Sequence, residues 1–268
     1  MTWLARMIGI MAVSVRQRLH YRFDFFVTLA ANLIFSGLLY SIWRGIYSHQ
    51  AHPRLPIQVL LTYVLVGQAM NMARFGQAER YGIWDQFTRI HSGDIALDLI
   101  RPLGFQTQRF LESAAFFGVE MLWVNLPTLG IFLLLGVSAT ATISTAFAFA
   151  VSILLAFLVS FSINSMFMIT FFWVSNVWGT QMTKRLVLEM LAGTLIPFDL
   201  FPSGIRWVAE HLPFQAMAYV PISIYVGRIT GAAIMPALAS QLAWAVSMLV
   251  LAAMLWRAAL RRLVVAGG

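Results

Sequence analysis

The stretch from Met121 to Thr183 contains no Asp, Glu, Lys or Arg, and this feature limits most strongly what the chain can fold into. A helix crosses a bilayer with about 20 apolar residues, so the stretch is long enough for more than one crossing. Across the whole chain only 10% of the residues are charged, against roughly 25% in soluble domains. The sequence therefore predicts an all-α membrane protein in which residues 1–268 form a single transmembrane domain.

Six apolar segments are predicted to cross the membrane: Phe25–Trp43, Ile57–Ala73, Ser113–Gly136, Ile143–Val174, Leu186–Phe201 and Ala237–Trp256. The fourth segment exceeds one upright crossing, so it is either one long tilted helix or two short spans. Lys and Arg are enriched on the cytoplasmic flanks of membrane spans. Six crossings place most of the basic residues on one side, which predicts that both termini are cytoplasmic. Splitting the fourth segment and making the fifth a dip that does not cross gives a weaker bias.

Residues 1–23 are predicted to form a helix that lies in the cytoplasmic membrane interface. Their apolar side chains recur at helical spacing: Leu4, Met7, Ile8, Met11 and Val15. The apolar core of this segment is too short to cross a bilayer, and arginines follow it directly. An amphipathic helix parallel to the membrane fits this pattern.

Residues 74–112 form the largest polar loop, on the predicted cytoplasmic side, and we expect a short two-sided helix in it. Ser92 or Asp94 can cap its start. Pro102 disfavours helical geometry at the residue before it, so the helix should end there. The charged residues share one face at spacings i, i+4 and i+7: Asp94, Asp98 and Arg101. The apolar residues lie mostly opposite: Ile95, Leu99 and Ile100.

No motif for catalysis, nucleotide binding or metal binding is found in the sequence. The only lysine, Lys184, has no glycine-rich phosphate-binding loop before it, so the chain is not predicted to bind ATP through such a loop. Cysteine is absent, which excludes a cysteine-ligated metal. The net charge of +8 comes from residues that flank apolar runs rather than from a surface for nucleic acid. A membrane enzyme or a scaffold is therefore the least favoured interpretation.

Two carboxylates and an aromatic run are the candidates for a substrate pathway. Charged side chains within spans usually face a protein interior or a water-filled cavity, which points to Glu120 and Glu189. The alternative is that each carboxylate pairs with a nearby cation. Phe172 and Trp173 belong to a run rich in methionine and aromatic residues, from Phe161 to Trp178. Such a run is usually packing, but it would also suit an apolar passageway.

The segment 194–231 is predicted to form short helices that dip into the outer leaflet without crossing. Four prolines prevent one continuous helix: Pro197, Pro202, Pro213 and Pro221. Ser203 can cap a short helix whose apolar side consists of Ile205, Val208, Ala209 and Leu212, and Trp207 can anchor it at the interface. Asp199 should lie close to the outer surface.

The order of these elements and two motifs resemble the permease subunits of type-2 ABC exporters, specifically a branch long known as a bacterial domain of unknown function. The motifs are G-D-I-x-L-D-L-I-R-P-L at 93–103 and G-T-L-I-P-F-x-L-F-P at 193–202. The resemblance implies that the loop between the second and third spans carries a coupling helix. It also implies that the residues docking a separate cytoplasmic ATPase are Asp94, Asp98, Arg101 and Pro102.

The resemblance further implies an assembly in the bacterial inner membrane. Two permeases, identical or paralogous, would pair with two ATPase subunits, which would bind ATP and Mg²⁺, whereas this chain would bind no cofactor. The substrate expected from the family and from the apolar spans is a drug-like or lipidic molecule moved out of the cytoplasm. The alternative is a secondary transporter or channel that works alone and uses Glu120 and Glu189 as its coupling-ion site.

Overall fold

A computed structural model describes residues 3–20, 22–48, 55–80, 83–99, 103–134, 137, 143–173 and 176–261. The described residues are mostly helical and contain no strand, which confirms the predicted all-α class. The α-helices are α1 (Trp3–His20), α2 (Arg22–Ser48), α3 (Ile57–Arg80), α4 (Ile83–Ser92), α5 (Ile95–Leu99), α6 (Phe105–Glu120), α7 (Leu126–Leu134), α8 (Ile143–Ile169), α9 (Val177–Leu191), α10 (Ser203–Glu210), α11 (Tyr219–Tyr225) and α12 (Ile234–Leu260). A π-helix, Met121–Asn125, joins α6 to α7. Short 3₁₀ turns lie at Thr170–Phe172, Phe198–Leu200, Pro213–Met217 and Gly231–Ala233.

Within the described residues, four helical stretches are long and apolar enough to cross a membrane: Phe23–Ser48, Phe105–Leu134, Ser144–Phe172 and Gly231–Leu260. They coincide with the first, third, fourth and last predicted crossings, although the third begins at Phe105 rather than Ser113. Between Ile143 and Ile169 the helix is uninterrupted, so this segment is one long helix rather than two short spans.

The other two predicted crossings differ from the structure. Helix α3 is long, but its apolar part is confined to Ile57–Met70. The predicted boundaries of the fifth span, Leu186–Phe201, are wrong, because α9 ends at Leu191 after 15 residues. The chain turns at Gly193, whose φ of +69° belongs to the left-handed region that favours glycine. Hydropathy continues through this turn, so it could not mark the helix end.

The turn after α9 packs against the middle of α3. The Tyr63 hydroxyl donates a 2.6 Å hydrogen bond to the Gly193 carbonyl oxygen. A Cβ placed on Gly67 would lie 2.8 Å from the Thr194 carbonyl oxygen, so the two backbones approach as closely as glycine allows. Irregular backbone inside a membrane domain needs such partners, because lipid supplies no hydrogen bonds.

The central core lies between α3, α8, α9, the segment after α9, and α12. Its fully buried members include Tyr63, Val159, Leu188 and Met217. Gln241 of α12 is buried there as well, and its amide nitrogen donates to the carbonyl oxygens of Ser152 and Ala216 at 2.9 and 2.7 Å. Its amide oxygen accepts from the Ser152 hydroxyl at 2.8 Å. This one polar side chain joins α12 to α8 and to residues 194–231, which we call the outer segment because the sequence predicts that they face outward.

The outer segment contains the short helix that was predicted after Pro202, but without the predicted cap. Pro202 occupies the capping position, no side chain caps the helix, and Ser203 is its first residue. Ala209 is buried, whereas Ile205 and Val208 are exposed. The predicted apolar side is therefore split between the protein interior and the surroundings.

Candidate functional site

The loop between α3 and α6 folds into two short helices separated by Gly93. Its φ of +82° reverses the chain after α4. The Ser92 hydroxyl donates to a carboxylate oxygen of Asp94 at 2.8 Å and accepts a long bond from the Asp94 backbone N–H at 3.4 Å. Ser92 therefore ends α4 and stabilises the turn, while α5 begins at Ile95.

Ile95 anchors α5 to the rest of the molecule, since only 2% of its surface is exposed. It packs into a group of side chains on the side that the sequence predicts to be cytoplasmic, and we call this group the cytoplasmic cluster: Ile95, Phe105, Met168, Ile169, Phe171, Val177, Trp256 and Ala259. Phe105 and Trp256 stack with ring centroids 4.7 Å apart. From α4, Phe87 meets Phe171 edge to face at 6.0 Å.

The cytoplasmic cluster connects α5 to four other elements, namely the start of α6, the end of α8, the start of α9 and the end of α12. Protein interiors are close-packed and transmit displacement rather than absorb it. A force applied to α5 would therefore reach the ends of several spans at once.

The opposite side of α5 faces outward, as the spacing of its residues predicted. Asp94 is exposed, and Leu97 is 58% exposed. Asp98 lies in α5, but its side chain is outside the described part, and Arg101 and Pro102 lie outside the described residues altogether. The structure thus places one of the four predicted docking side chains, Asp94, on the accessible side of the helix.

Glu120 is buried at the end of α6, and its partner is Arg18 of α1. The same guanidinium contacts the carboxylate of Asp24, so Arg18 bridges two acids. Sequence reasoning had treated Arg18 only as a flanking charge. The one signal in the sequence is its place four residues after Ser14, which puts these two polar side chains on the same side of α1.

The remaining pathway candidates occupy separate surroundings. Glu189 of α9 accepts a hydrogen bond from the Arg185 side chain at 2.8 Å, one turn earlier. Phe172 packs beside Trp256 at the cytoplasmic cluster, with ring centroids 6.3 Å apart. Trp173 is 59% exposed. Glu120 lies instead in the ion cluster with Arg18 and Asp24, so the four candidates do not form one visible site in a single chain.

Lys184 of α9 is a further buried charge that the pathway prediction did not include. It is 2% exposed, and its ammonium donates to the Asn164 amide oxygen of α8 at 3.2 Å. The ammonium also lies 5.7 Å from the centroid of the Phe167 ring. Polar and cation–π contacts together accommodate the charge where α9 packs on α8.

The outer segment is held by a second ion network around Asp199. Both terminal nitrogens of Arg228 contact its carboxylate, and Arg206 lies 3.6 Å away. Burial lowers the pKa of Arg228, but the hydrogen bond to Asp199 and the charge interactions with Asp199, Tyr219 and Tyr63 together raise the pKa above the ordinary value. Burial also raises the pKa of Tyr219, which lies beside this network. The contact between Arg228 and Asp199 therefore ties the turn after α9 to the end of α11.

The fold defines a multi-pass membrane protein, all-helical in its described residues, whose loop helices α4 and α5 are packed onto the ends of its spans. A family model described as "ABC-2 family transporter protein" matches residues 58–267. This match covers most of the chain, and the chain therefore belongs to the ABC-2 transporter family. The resemblance drawn from the two motifs is thereby confirmed. No curated protein matches the chain at a significant level.

Proposed function

We propose that this chain is the transmembrane subunit of an ATP-driven exporter that moves a hydrophobic or amphipathic small molecule, drug-like or lipidic, out of the bacterial cytoplasm. Membership of the ABC-2 family makes it a membrane component of a transporter. The observation that carries the finer proposal is the seating of α5, with Ile95 in the cytoplasmic cluster and Asp94 exposed. This is the arrangement required of a helix that receives a push from a separate protein.

The energy source in this proposal is a cytoplasmic ATPase that binds ATP and Mg²⁺. The carboxylate of Asp94 is exposed beside the start of α5, and the proposed docking surface also includes Asp98, Arg101 and Pro102. Charged groups at the rim of an interface set register and association rate more than affinity. Two ATPases would dock on two permeases, identical or paralogous, in the inner membrane.

The proposed topology has six crossings with both termini in the cytoplasm. Four crossings are the long apolar stretches described above. The other two are α3, and α9 together with the turn at Gly193. In α1 the apolar residues Leu4 and Ile8 are exposed, at 64% and 60%, which supports a helix lying on the inner membrane surface. The segment 194–231 dips into the outer leaflet and would close the exit.

The substrate pathway in this proposal runs between the two permeases and includes Glu120, Glu189, Phe172 and Trp173. The rival function, a carrier driven by an ion gradient, needs carboxylates that bind and release a coupling cation. Glu120 and Glu189 are instead each in contact with an arginine, and a fixed guanidinium competes with such a cation. The geometry therefore favours the ATP-driven exporter.

Purification and reconstitution test this function. The tagged chain is isolated from membranes in mild detergent, and the complex is placed in liposomes with a fluorescent amphiphile. We expect an ATPase with a phosphate-binding loop to co-purify and transport to require hydrolysable ATP. Transport that follows an ion gradient without any ATPase would overturn the proposal in favour of the carrier.

A further inference from the structure

Arg18 connects three helices at a single buried point. It belongs to α1, contacts Asp24 of α2 and Glu120 of α6, and is 2% exposed. Its guanidinium also lies 4.8 Å from the centroid of the Phe25 ring. Burying an ion cluster costs several kcal/mol per ion before pairing, so such clusters are weak devices for stability alone. They do fix geometry, because removing Arg18 would take the guanidinium contact away from the buried carboxylate of Glu120.

The π-helix begins directly after the residue that Arg18 holds. The π-helix Met121–Asn125 lies between α6 and α7. Its hydrogen bonds span five residues rather than the four of an α-helix. Such single-turn bulges inside α-helices are rare and occur frequently at functional sites. Leu122 and Trp123 face outward at 63% and 56% exposure. Asn125 is buried, and its amide oxygen has no hydrogen-bond partner among the described residues.

Beyond the π-helix, α7 makes a long polar contact with α2, and α2 makes another with α3. The Asn32 amide donates to the Thr128 hydroxyl at 3.3 Å, and the Gln68 amide donates to the Asn32 oxygen at 3.3 Å. Both distances exceed the usual range for a strong bond. The Gln68 oxygen and the Ser36 hydroxyl, both buried, have no partner within the described part of the chain. The outer half of this span is therefore less firmly fixed by polar contacts than the inner half.

We propose that Arg18 is a positioning residue that makes α1, α2 and α6 move as one body, and that the π-helix is the hinge at which the third span bends during transport. This rests on the proposed function. A push on α5 reaches α6 through the cytoplasmic cluster, where Phe105 begins the helix. The Arg18 contacts carry α1 and α2 along, and the bend at Met121–Asn125 lets α7 keep its place against α3, where Phe132 packs with Leu65 and Ala69. Hinges are typically a few residues that absorb a local backbone change.

The first test measures coupling in the complete transporter, reconstituted with its ATPase. Arg18→Met keeps the length of the side chain and removes its contacts, whereas Arg18→Lys keeps a charge. Coupling between sites is typically worth about 5- to 150-fold, so we expect Arg18→Met to lower transport per ATP hydrolysed by about tenfold. Arg18→Lys should restore part of that ratio. Arg16→Met, at an exposed position on the same helix, is the control and should leave it unchanged.

The second test measures the bend itself with spin labels. The chain has no cysteine, so Thr107→Cys in α6 and Leu133→Cys in α7 give one pair, about 39 Å apart at 1.5 Å per residue. Met235→Cys and Met254→Cys in the unbroken α12 give a control pair. We expect trapping with ATP to change the first distance and not the second. Deleting Leu122 should remove the extra residue and restore a regular α-helix in register. This deletion should abolish the change in the first distance and stop transport, whereas Leu122→Ala should leave both the distance change and transport intact.

The outcomes separate the hinge from the function on which it rests. ATP-driven transport with an unchanged first distance, or an unchanged coupling ratio in Arg18→Met, would overturn the hinge alone. Absence of ATP-driven transport by the unaltered protein would overturn the proposed function, and the hinge with it. If the deletion variant does not fold, the label distances in the otherwise unaltered chain still decide.

Discussion

At the residue scale, two glycines allow the membrane domain to contain a broken helix. Gly193 adopts a left-handed conformation, and a Cβ there would lie 2.6 Å from a ring carbon of Phe198. Gly67 lets the Thr194 carbonyl approach α3. Hydropathy cannot detect either requirement, because glycine scores as neutral and the neighbouring residues are apolar. For this reason the predicted fifth span ran past the real end of α9.

We predict that Gly193→Ala destabilises the protein. The left-handed conformation costs a residue with a Cβ about 1–2 kcal/mol, and the overlap with Phe198 adds to it. Thermal unfolding in detergent should show a midpoint several degrees lower. Gly118→Ala, at a helical position with open space around it, is the matched control and should show no loss. Equal stability of both variants would mean that the turn is not held as described.

At the element scale, the pattern of α5 was predictable because it is local. The sequence pattern put Ile95 on the apolar side and Asp94 on the charged side, and the structure buries the first and exposes the second. The contact between Arg18 and Glu120 was not predictable, since it joins residues 102 positions apart in the chain. The π-helix was equally hidden, because one extra residue in an apolar helix changes no sequence pattern.

We predict that Asp94→Lys weakens binding of the ATPase. Reversing a charge on the exposed side of α5 places a like charge against any basic partner surface, at a cost of several kcal/mol when the contact is close. The amount of ATPase that co-purifies should fall, while membrane insertion stays normal. Asp94→Asn has the same size without the charge and should have an intermediate effect. Unchanged binding by both variants would exclude Asp94 from the docking surface.

A substitution on the buried side of α5 should cause a different defect. Ile95→Ala removes a side chain from the cytoplasmic cluster, and such a change in a core costs about 2–5 kcal/mol. We expect the ATPase to bind normally but transport per ATP hydrolysed to fall, because α5 is no longer firmly seated. Leu97→Ala, at an exposed position of the same helix, should leave this ratio intact. Loss of ATPase binding in Ile95→Ala would argue that the helix unfolds instead.

At the scale of the whole molecule, composition was sufficient to predict the class of protein and the positions of four long apolar helices. It was not sufficient for the number of crossings, because α3 carries polar residues in its second half and α9 is short. Both helices are buried against protein at Leu60, Tyr63 and Leu188. Hydropathy and apolar length alone therefore do not decide whether α3 and α9 cross the membrane.

We predict that the two ends of the molecule react differently with a membrane-impermeant thiol reagent. The chain has no cysteine, so each introduced thiol is the only one. Trp207→Cys, in the exposed face of α10, should be labelled from outside in intact cells, and Leu97→Cys only after the membrane is opened. Labelling of both positions from the same side would exclude the six-crossing topology.

Lys184 has a practical consequence for chemical labelling. It is the only lysine in the chain, and its amine is enclosed between α8 and α9 at 2% exposure. Acylating reagents need a free, deprotonated amine in contact with water, so this side chain should stay unmodified while lysines on any associated protein react. A rise in acylation of Lys184 during turnover would report the separation of α8 from α9. The protein thus carries a native probe at one buried helix contact, and it requires no engineered label.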